Sequence, residues 1–188
     1  MSIERFIAAA AGLIVLAAAG PARAQPGVRA DVAGGYSALS ASSGSMPVGW
    51  FASATYNVND VIGIASEISG NYGWPRTPIV NLSTSINEYS FLTGPRLVLA
   101  AGDKQVGYAH FLIGAAVASA TGTGVFGRSV VSNTASATAI CYAPGLGWDI
   151  EFRDNTSLRV EGNFRLLTAD GSVSEFQFYI GVARRFRR

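Results

Sequence analysis

Large apolar side chains occupy every second position in the segment EFQFYIGVARRFRR, residues 175–188. A period of two indicates a β-strand whose two faces meet different surroundings. The same alternation recurs in eight segments after residue 25, and none of these segments has a convincing helical period. The pattern therefore predicts an all-β chain of eight strands.

The connections between these segments fall into two length classes. Three are short turns: 59–60, 100–104 and 154–155. Four are longer loops: 40–47, 73–85, 119–134 and 168–173. Because barrels of the bacterial outer membrane have short periplasmic turns and longer extracellular loops, the two classes predict an antiparallel up-and-down barrel with the four loops outside the cell.

The two faces of the strands also differ in chemistry. One face carries bulky, almost uncharged side chains, and the other combines most of the charges with Gly, Ala and Ser. The whole chain has a single lysine, Lys104, which is too few for a solvated exterior. Aromatic residues cluster near strand ends, as in the interfacial girdles of membrane barrels. We therefore expect an eight-stranded transmembrane β-barrel with its apolar faces toward lipid.

An eight-stranded barrel encloses just enough space for side chains, and buried charges are normally paired. The sequence thus predicts an interior polar network that fills the barrel. Its candidate members are Arg29, Asp31, Glu67, Glu88, Arg96, His110, Arg159, Glu161 and Arg165. A narrow path for ions or small solutes through the same cluster is the alternative interpretation.

Composition adds a prediction about export. The chain is only 14% charged and contains 22 glycines, and its mean hydropathy is +0.28. Residues 1–24 combine Arg5, an apolar stretch and the small-x-small ending Ala22-Arg23-Ala24, which predicts a cleaved signal peptide and a mature barrel over residues 25–188. Without Glu4, Arg5 and Arg23, the 14 basic and 12 acidic residues become 12 and 11, so the mature chain gives no electrostatic signature of nucleic-acid binding.

Several segments resemble a known family. An exported chain of this size with the opening VAGGYSA, the segments YSFLTGPRLVL and YAHFLIGAAVA, and aromatic alternation at the end is similar to the small outer-membrane barrels of the outer-membrane protein A and X type. The resemblance covers residues 28–186. It implies an outer-membrane location, with lipid, lipopolysaccharide and the barrel-assembly machinery as partners.

The residues do not support catalysis. His110 is the only histidine, and the outer-membrane lipid A deacylases, which resemble this architecture, use a serine two positions after their histidine, where this chain has Leu112. A hydroxyl nucleophile needs an adjacent base, so we expect no enzyme activity. The single cysteine, Cys141, excludes an internal disulfide, and no cluster predicts a metal or cofactor.

The expected role is therefore structural or one of surface interaction, such as adhesion or recognition. Loops on a rigid scaffold are where binding concentrates. The candidate extracellular contacts are Trp74, Arg76, Phe126 and Arg128. Arginines 184, 185, 187 and 188 are expected to form a basic rim against anionic head groups at the periplasmic end. A soluble periplasmic, lipocalin-like binder of an apolar ligand stays as a further alternative.

Overall fold

The computed structural model describes residues 28–41, 44–74, 82–126, 129–169 and 171–187, so the predicted signal peptide lies outside the described residues. The described chain forms nine strands: β1 (Val28–Ala41), β2 (Gly44–Met46), β3 (Val48–Asn57), β4 (Ile62–Gly73), β5 (Leu82–Ala101), β6 (Gln105–Phe126), β7 (Ser129–Arg153), β8 (Thr156–Thr168) and β9 (Ser172–Arg187). Within these ranges no helix has the length and apolar character needed to cross a membrane.

Each strand pairs antiparallel with its neighbour in the chain, and β1 also pairs with β9, which closes the sheet on itself. The short β2 and the longer β3 both pair with β1, one after the other along its length. The nine strands therefore supply eight positions around the ring. This is the predicted eight-stranded antiparallel up-and-down barrel, and within the ring closure removes the unpaired edges that an open sheet would expose.

Side chains alternate between the two faces of the barrel wall as the period of two requires. In β9, Phe176, Phe178, Ile180 and Val182 face outward, while Gln177 and Tyr179 are fully buried. The outer surface is a band of large apolar residues, and the inner surface holds the charges. The sequence prediction that apolar faces point outward is therefore confirmed.

Aromatic side chains border the apolar band at both ends. At one end the indole of Trp50 donates a 3.3 Å hydrogen bond to the Tyr72 hydroxyl, which lies 3.3 Å from the hydroxyl of Tyr89. At the other end, Tyr56, Trp148 and Phe152 are exposed on the outer surface. Amphipathic rings at these two levels match the interfacial girdles of outer-membrane barrels.

The two ends of the barrel have different connections. One end, here the turn end, has the short connections 58–61, 102–104 and 154–155 together with the start of β1 and the end of β9. Asn155 adopts a left-handed φ of 59°, as tight hairpin turns require. The opposite end, here the loop end, has the remaining connections.

The predicted loop at 119–134 is wrong, because β6 continues to Phe126 and β7 begins at Ser129. Part of the predicted loop at 73–85 is also strand, since β5 begins at Leu82. Residues 82–87, 119–126 and 129–139 form three paired strands beyond the loop end, here the extension. Residues 132–138 are all exposed, so no buried face exists there to impose the alternation by which strands are recognised.

The other two predicted loops are shorter than expected. β1 reaches Ala41 and pairs with β2 in the segment predicted as a loop at 40–47. β8 ends at Thr168 and β9 begins at Ser172. The β1–β2 pairing is accompanied by a hydrogen bond from the Tyr36 hydroxyl to the Pro47 carbonyl, which fixes this corner of the loop end.

Candidate functional site: the barrel interior and the extension

Four charged side chains from four strands meet near the turn end of the interior, and we call them the central ion-pair cluster: Asp31, Arg96, Asp149 and Arg159. The guanidinium of Arg159 lies 2.7 Å from Asp31 and 2.8 Å from Asp149. That of Arg96 lies 3.0 Å from Asp31 and 3.5 Å from Asp149. Two positive and two negative charges alternate in this arrangement, which offsets the cost of burying each of them.

Polar and aromatic groups of other strands complete the cluster. Arg96 donates to the Thr55 hydroxyl at 2.9 Å, and Arg159 donates to the Ser53 hydroxyl at 3.2 Å. The guanidinium carbon of Arg96 also lies 3.6 Å from the ring centroid of Tyr108, a cation–π contact. The cluster thereby links side chains of β1, β3, β5, β6, β7 and β8 across the interior.

Arg185 of β9 extends this cluster toward the turn end. It lies 3.1 Å from Glu151 and 3.7 Å from Asp149, and its side chain is buried. Arg187, half exposed, lies 3.5 Å from the same Glu151. The ion pairs therefore continue from the central ion-pair cluster to the mouth of the barrel at the turn end.

Next to the central cluster lies a layer of carboxylates and phenols. The Tyr108 hydroxyl donates to Glu161 at 2.8 Å, and the Tyr179 hydroxyl donates to Glu67 at 2.5 Å. The ring of Tyr179 stacks on Phe51 with their centroids 4.3 Å apart. In this layer the phenol hydroxyls of large buried side chains are hydrogen-bonded to carboxylates.

His110 belongs to the same layer. Its Nε2 lies 2.7 Å from Asn163 Oδ1 and 3.7 Å from Glu161, and Asn163 in turn donates to Glu161 at 3.0 Å. In the described part of the chain no serine or threonine hydroxyl is hydrogen-bonded to His110. The arrangement orients the imidazole within the wall and gives it no nucleophile to activate.

A second group of ion pairs lies near the loop end. Arg165 is fully buried, and its guanidinium is 2.6 Å from Glu88 and 3.3 Å from Glu175. The interior also holds a buried apolar cluster, made of Ala65, Leu92, Leu112, Ala116, Cys141, Ala143 and Leu167. The interior thus contains ion pairs toward both ends together with buried apolar side chains.

Inward-facing glycines make room for the largest side chains. A Cβ added at Gly147 would overlap the ring of Tyr108, and one at Gly145 would overlap His110 and Asn163. Both glycines lie on β7, directly across from the β6 residues that fill this space. Each of these glycines on β7 therefore leaves space for the bulky β6 side chain with which it is paired, Tyr108 or His110.

The structure places eight of the nine predicted interior residues in the buried layers, and Arg29 is the correction. Arg29 is exposed, because the register of β1 against β9 shifts between Val28 and Ala30 and interrupts the alternation there. The shift is a β-bulge, which turns one residue away from its expected face. Asp31, two positions later, is buried in the central cluster.

Sequence reasoning missed two buried charges of β9. Arg185 was expected in a basic rim against lipid, and Glu175 was not singled out, yet both point inward. The alternation contained the signal, since odd-numbered residues from Gln177 to Ala183 all face the interior side. The next odd-numbered residues at the two ends of this series are Glu175 and Arg185, so the same parity assigns both to the interior.

The predicted extracellular contacts have three different outcomes. Trp74 follows β4 at the loop end and is 63% exposed. Phe126 is the last residue of β6, so it belongs to a strand and not to a loop. Arg76 and Arg128 lie outside the described residues.

The extension is uncharged and has a free edge. Residues 82–87, 119–126 and 129–139 contain no Asp, Glu, Lys or Arg and are rich in Ser, Thr and Ala. Hydroxyls pair across it, with Thr121 and Thr134 2.9 Å apart. Pairing of β7 with β8 starts at Ile140, so the described residues 129–139 pair with β6 on one side only. Throughout the described ranges, no group of His, Cys, Asp or Glu side chains is arranged to hold a metal ion.

Comparison with known proteins gives consistent results. A family model described as outer membrane protein beta-barrel domain matches residues 6–186. The chain is similar in fold to Ail, the attachment invasion locus protein of Yersinia pestis, with 18% identity over 85% of this chain and 99% of that one and a TM-score of 0.61. Ail is also known in complex with the heparin analogue sucrose octasulfate, and that structure gives 18% identity, coverage of 84% and 97%, and a TM-score of 0.60.

Neisserial surface protein A shows the same fold, with 17% identity over 84% of this chain and 96% of that one and a TM-score of 0.54. No curated protein sequence matches the chain. At these identities the likeness to solved structures concerns the fold.

Proposed function

Because the chain belongs to the outer membrane protein beta-barrel domain family, which places it in the bacterial outer membrane, we propose that it is a surface-interaction protein whose closed barrel holds the extension outside the cell. In such barrels the longer connections are extracellular. The extension continues from the loop end, so it projects away from the membrane. The single observation that carries the proposal is the free, uncharged edge of β7 over residues 129–139.

An unpaired strand edge offers a row of backbone donors and acceptors to an incoming chain. Natural proteins usually protect such edges with charges, prolines or bulges. Residues 129–139, SVVSNTASATA, have neither a charge nor a proline, and at about 3.3 Å per residue they extend over roughly 35 Å. We infer that this edge binds an extended segment of an external polypeptide by β-strand addition.

The similarity to Ail supports interaction outside the cell, because that barrel is seen with a sulfated heparin analogue bound. The described extension of this chain has no cationic side chain that would favour a polyanion. The proposed recognition therefore uses backbone hydrogen bonds and hydroxyl groups. We also propose that the barrel contacts lipid and lipopolysaccharide through its apolar band and that the barrel-assembly machinery inserts it.

The same proposal assigns the interior a structural role. The central ion-pair cluster, the tyrosine layer and the loop-end ion pairs fill successive cross-sections with side chains held by short contacts. Such a filled interior seals the barrel and makes it rigid, and it leaves no catalytic role for His110. A rigid base fixes the position of the extension, which favours binding because less conformational entropy is lost.

A binding assay with an unfolded probe tests the role of the free edge. We expect reduced, carboxymethylated α-lactalbumin, which stays extended, to bind vesicles carrying the protein with its extension outward. The variant Ser136→Lys/Thr138→Lys adds two charges to the free edge and should lose most of this binding, since charged edges resist strand addition. Asp103→Lys, in the opposite, turn-end connection, changes the net charge by the same two units and serves as the control.

Both variants must show the folded band on a heat-modifiability gel. Binding that is equal for wild type and the Ser136→Lys/Thr138→Lys variant would contradict recognition by the β7 edge. Slower backbone amide exchange at residues 132–139 in the bound state is the accompanying expected result.

A further inference from the structure

Buried and exposed arginines differ in their partners. Every buried arginine in the described ranges is paired with a carboxylate: Arg96, Arg159, Arg165 and Arg185. Arg153 and Arg184 are exposed on the outside of the barrel at the turn end, and neither has a carboxylate of the described residues within ion-pair distance. Their charges are therefore available to a partner from outside the chain.

The two arginines line one depression in the outer surface. Its walls are Phe152, Arg153, Asp154, Asn155, Thr156 and Arg184. Thr156 pairs with Arg153 on one side and with Arg184 on the other, so the two arginines are separated by two strand spacings, roughly 10 Å between backbones. Arginine side chains are long enough to converge on one anion across that distance. Because the negative charge of Asp154 offsets one of the two arginines, the residues that line the depression carry one net positive charge.

The depression lies where the lipid-facing surface ends. Arg184 occupies the outward row of β9, with Val182 before it and Phe186 after it, both exposed apolar residues. Phe152, beside it, is 63% exposed. Turn ends of outer-membrane barrels face the periplasm, and aromatic side chains mark the level of the head groups. An arginine in this row is thus at head-group depth in the periplasmic leaflet.

We propose that this depression binds an anionic glycerophospholipid of the periplasmic leaflet. Arg153 and Arg184 pair with its phosphate, since guanidinium groups match phosphate oxygens in geometry and charge. The exposed ring of Phe152 contacts the acyl chains near the glycerol. This site is independent of the external interaction proposed for the extension, which lies at the opposite end of the barrel.

Native mass spectrometry of the full barrel released from detergent micelles tests the site. With phosphatidylglycerol as the probe, the wild-type protein should retain one lipid more tightly than it retains phosphatidylcholine. Arg153→Gln/Arg184→Gln should weaken phosphatidylglycerol binding roughly 30-fold, because each arginine near anionic lipid contributes about a factor of five. Arg153→Lys/Arg184→Lys, which keeps both charges but loses the guanidinium geometry, should bind more tightly than Arg153→Gln/Arg184→Gln and less tightly than the wild type.

Lys104→Gln is the matched control, because it removes one positive charge from a different turn-end connection. It should bind phosphatidylglycerol as wild type does, and a heat-modifiability gel shows that every variant is folded. Equal lipid retention by the wild type and the Arg153→Gln/Arg184→Gln variant would overturn the proposal. Displacement of phosphatidylglycerol by inorganic phosphate would also overturn it, because the site would then take a bare anion.

Discussion

Strands β5 to β7 run through both the closed ring, here the barrel body, and the extension. Different interactions hold these strands in the two regions. In the body, side chains from several strands meet in buried ion pairs, and inward glycines are matched to bulky neighbours. In the extension, the side chains of residues 132–138 are short, uncharged and exposed, so the backbone ladder is their main interaction. The comparison teaches that one strand can be a rigid wall in one half and an adaptable binding edge in the other.

Removing one charge from the central ion-pair cluster should have the largest effect. Arg159→Met leaves Asp31 with Arg96 alone and Asp149 with only the longer contacts to Arg96 and Arg185, and breaking a buried pair this way costs about 3–5 kcal/mol. Urea unfolding of the barrel in lipid vesicles measures the change in the free energy of unfolding. Lys104→Met, in an exposed turn, is the control and should change little. Equal free energies for the two variants would show that the cluster does not stabilise the body.

Glycines of the two regions should respond differently to the same substitution. Gly147→Val in the body should destabilise by about 1–3 kcal/mol, because the new side chain overlaps the ring of Tyr108, whose hydroxyl is held by Glu161. Gly122→Val in the extension should change stability by less than about 0.5 kcal/mol, since a Cβ there meets no atom within 4 Å. The same unfolding measurement applies, and similar costs at both positions would remove the distinction between body and extension.

Shortening the extension should have the smallest effect on stability. Ala120 and Ala135 are directly paired, so residues 121–134 can be replaced by an Asn-Gly turn that joins them. The free energy of unfolding should change by less than about 1 kcal/mol, because residues 121–123 are half-buried Thr and Gly and residues 132–134 are exposed, so little apolar burial is lost with them. Binding of the unfolded probe should disappear in the same variant. A large loss of stability would show that the extension is part of the body's fold.

The same contrast explains what the sequence could predict. A strand with one face in lipid and one face inside has a period of two, so the eight positions of the ring and the interior set around Asp31, Glu67 and Glu161 followed from the pattern. The described residues 119–126 and 129–134 are rich in Ser, Thr and Gly, as loops are, and residues 132–134 have no buried face that would impose a period. Their strand structure depends on pairing with neighbours, which a local pattern does not contain.

Errors at single residues had equally physical causes. Arg29 shares the parity of Asp31, but the bulge between Val28 and Ala30 turns it outward, and no local sequence signal marks that bulge. Arg185 shares the parity of the interior residues, but the arginines beside it in the sequence suggest a basic rim. Alternation therefore decides where each arginine at the end of β9 lies. Arg185 is buried and paired with Glu151, whereas Arg184 is exposed on the outer surface.

The central claim is that the filled interior makes the body a sealed scaffold for the extension, and planar-bilayer recording tests it most directly. The purified wild-type protein, inserted across a bilayer and shown to be folded, is recorded under an applied voltage. With ion pairs and tyrosine hydrogen bonds occupying the cross-section, we expect no steady open conductance. A steady open level in the wild-type protein would contradict the sealed scaffold and favour a path for ions through the interior.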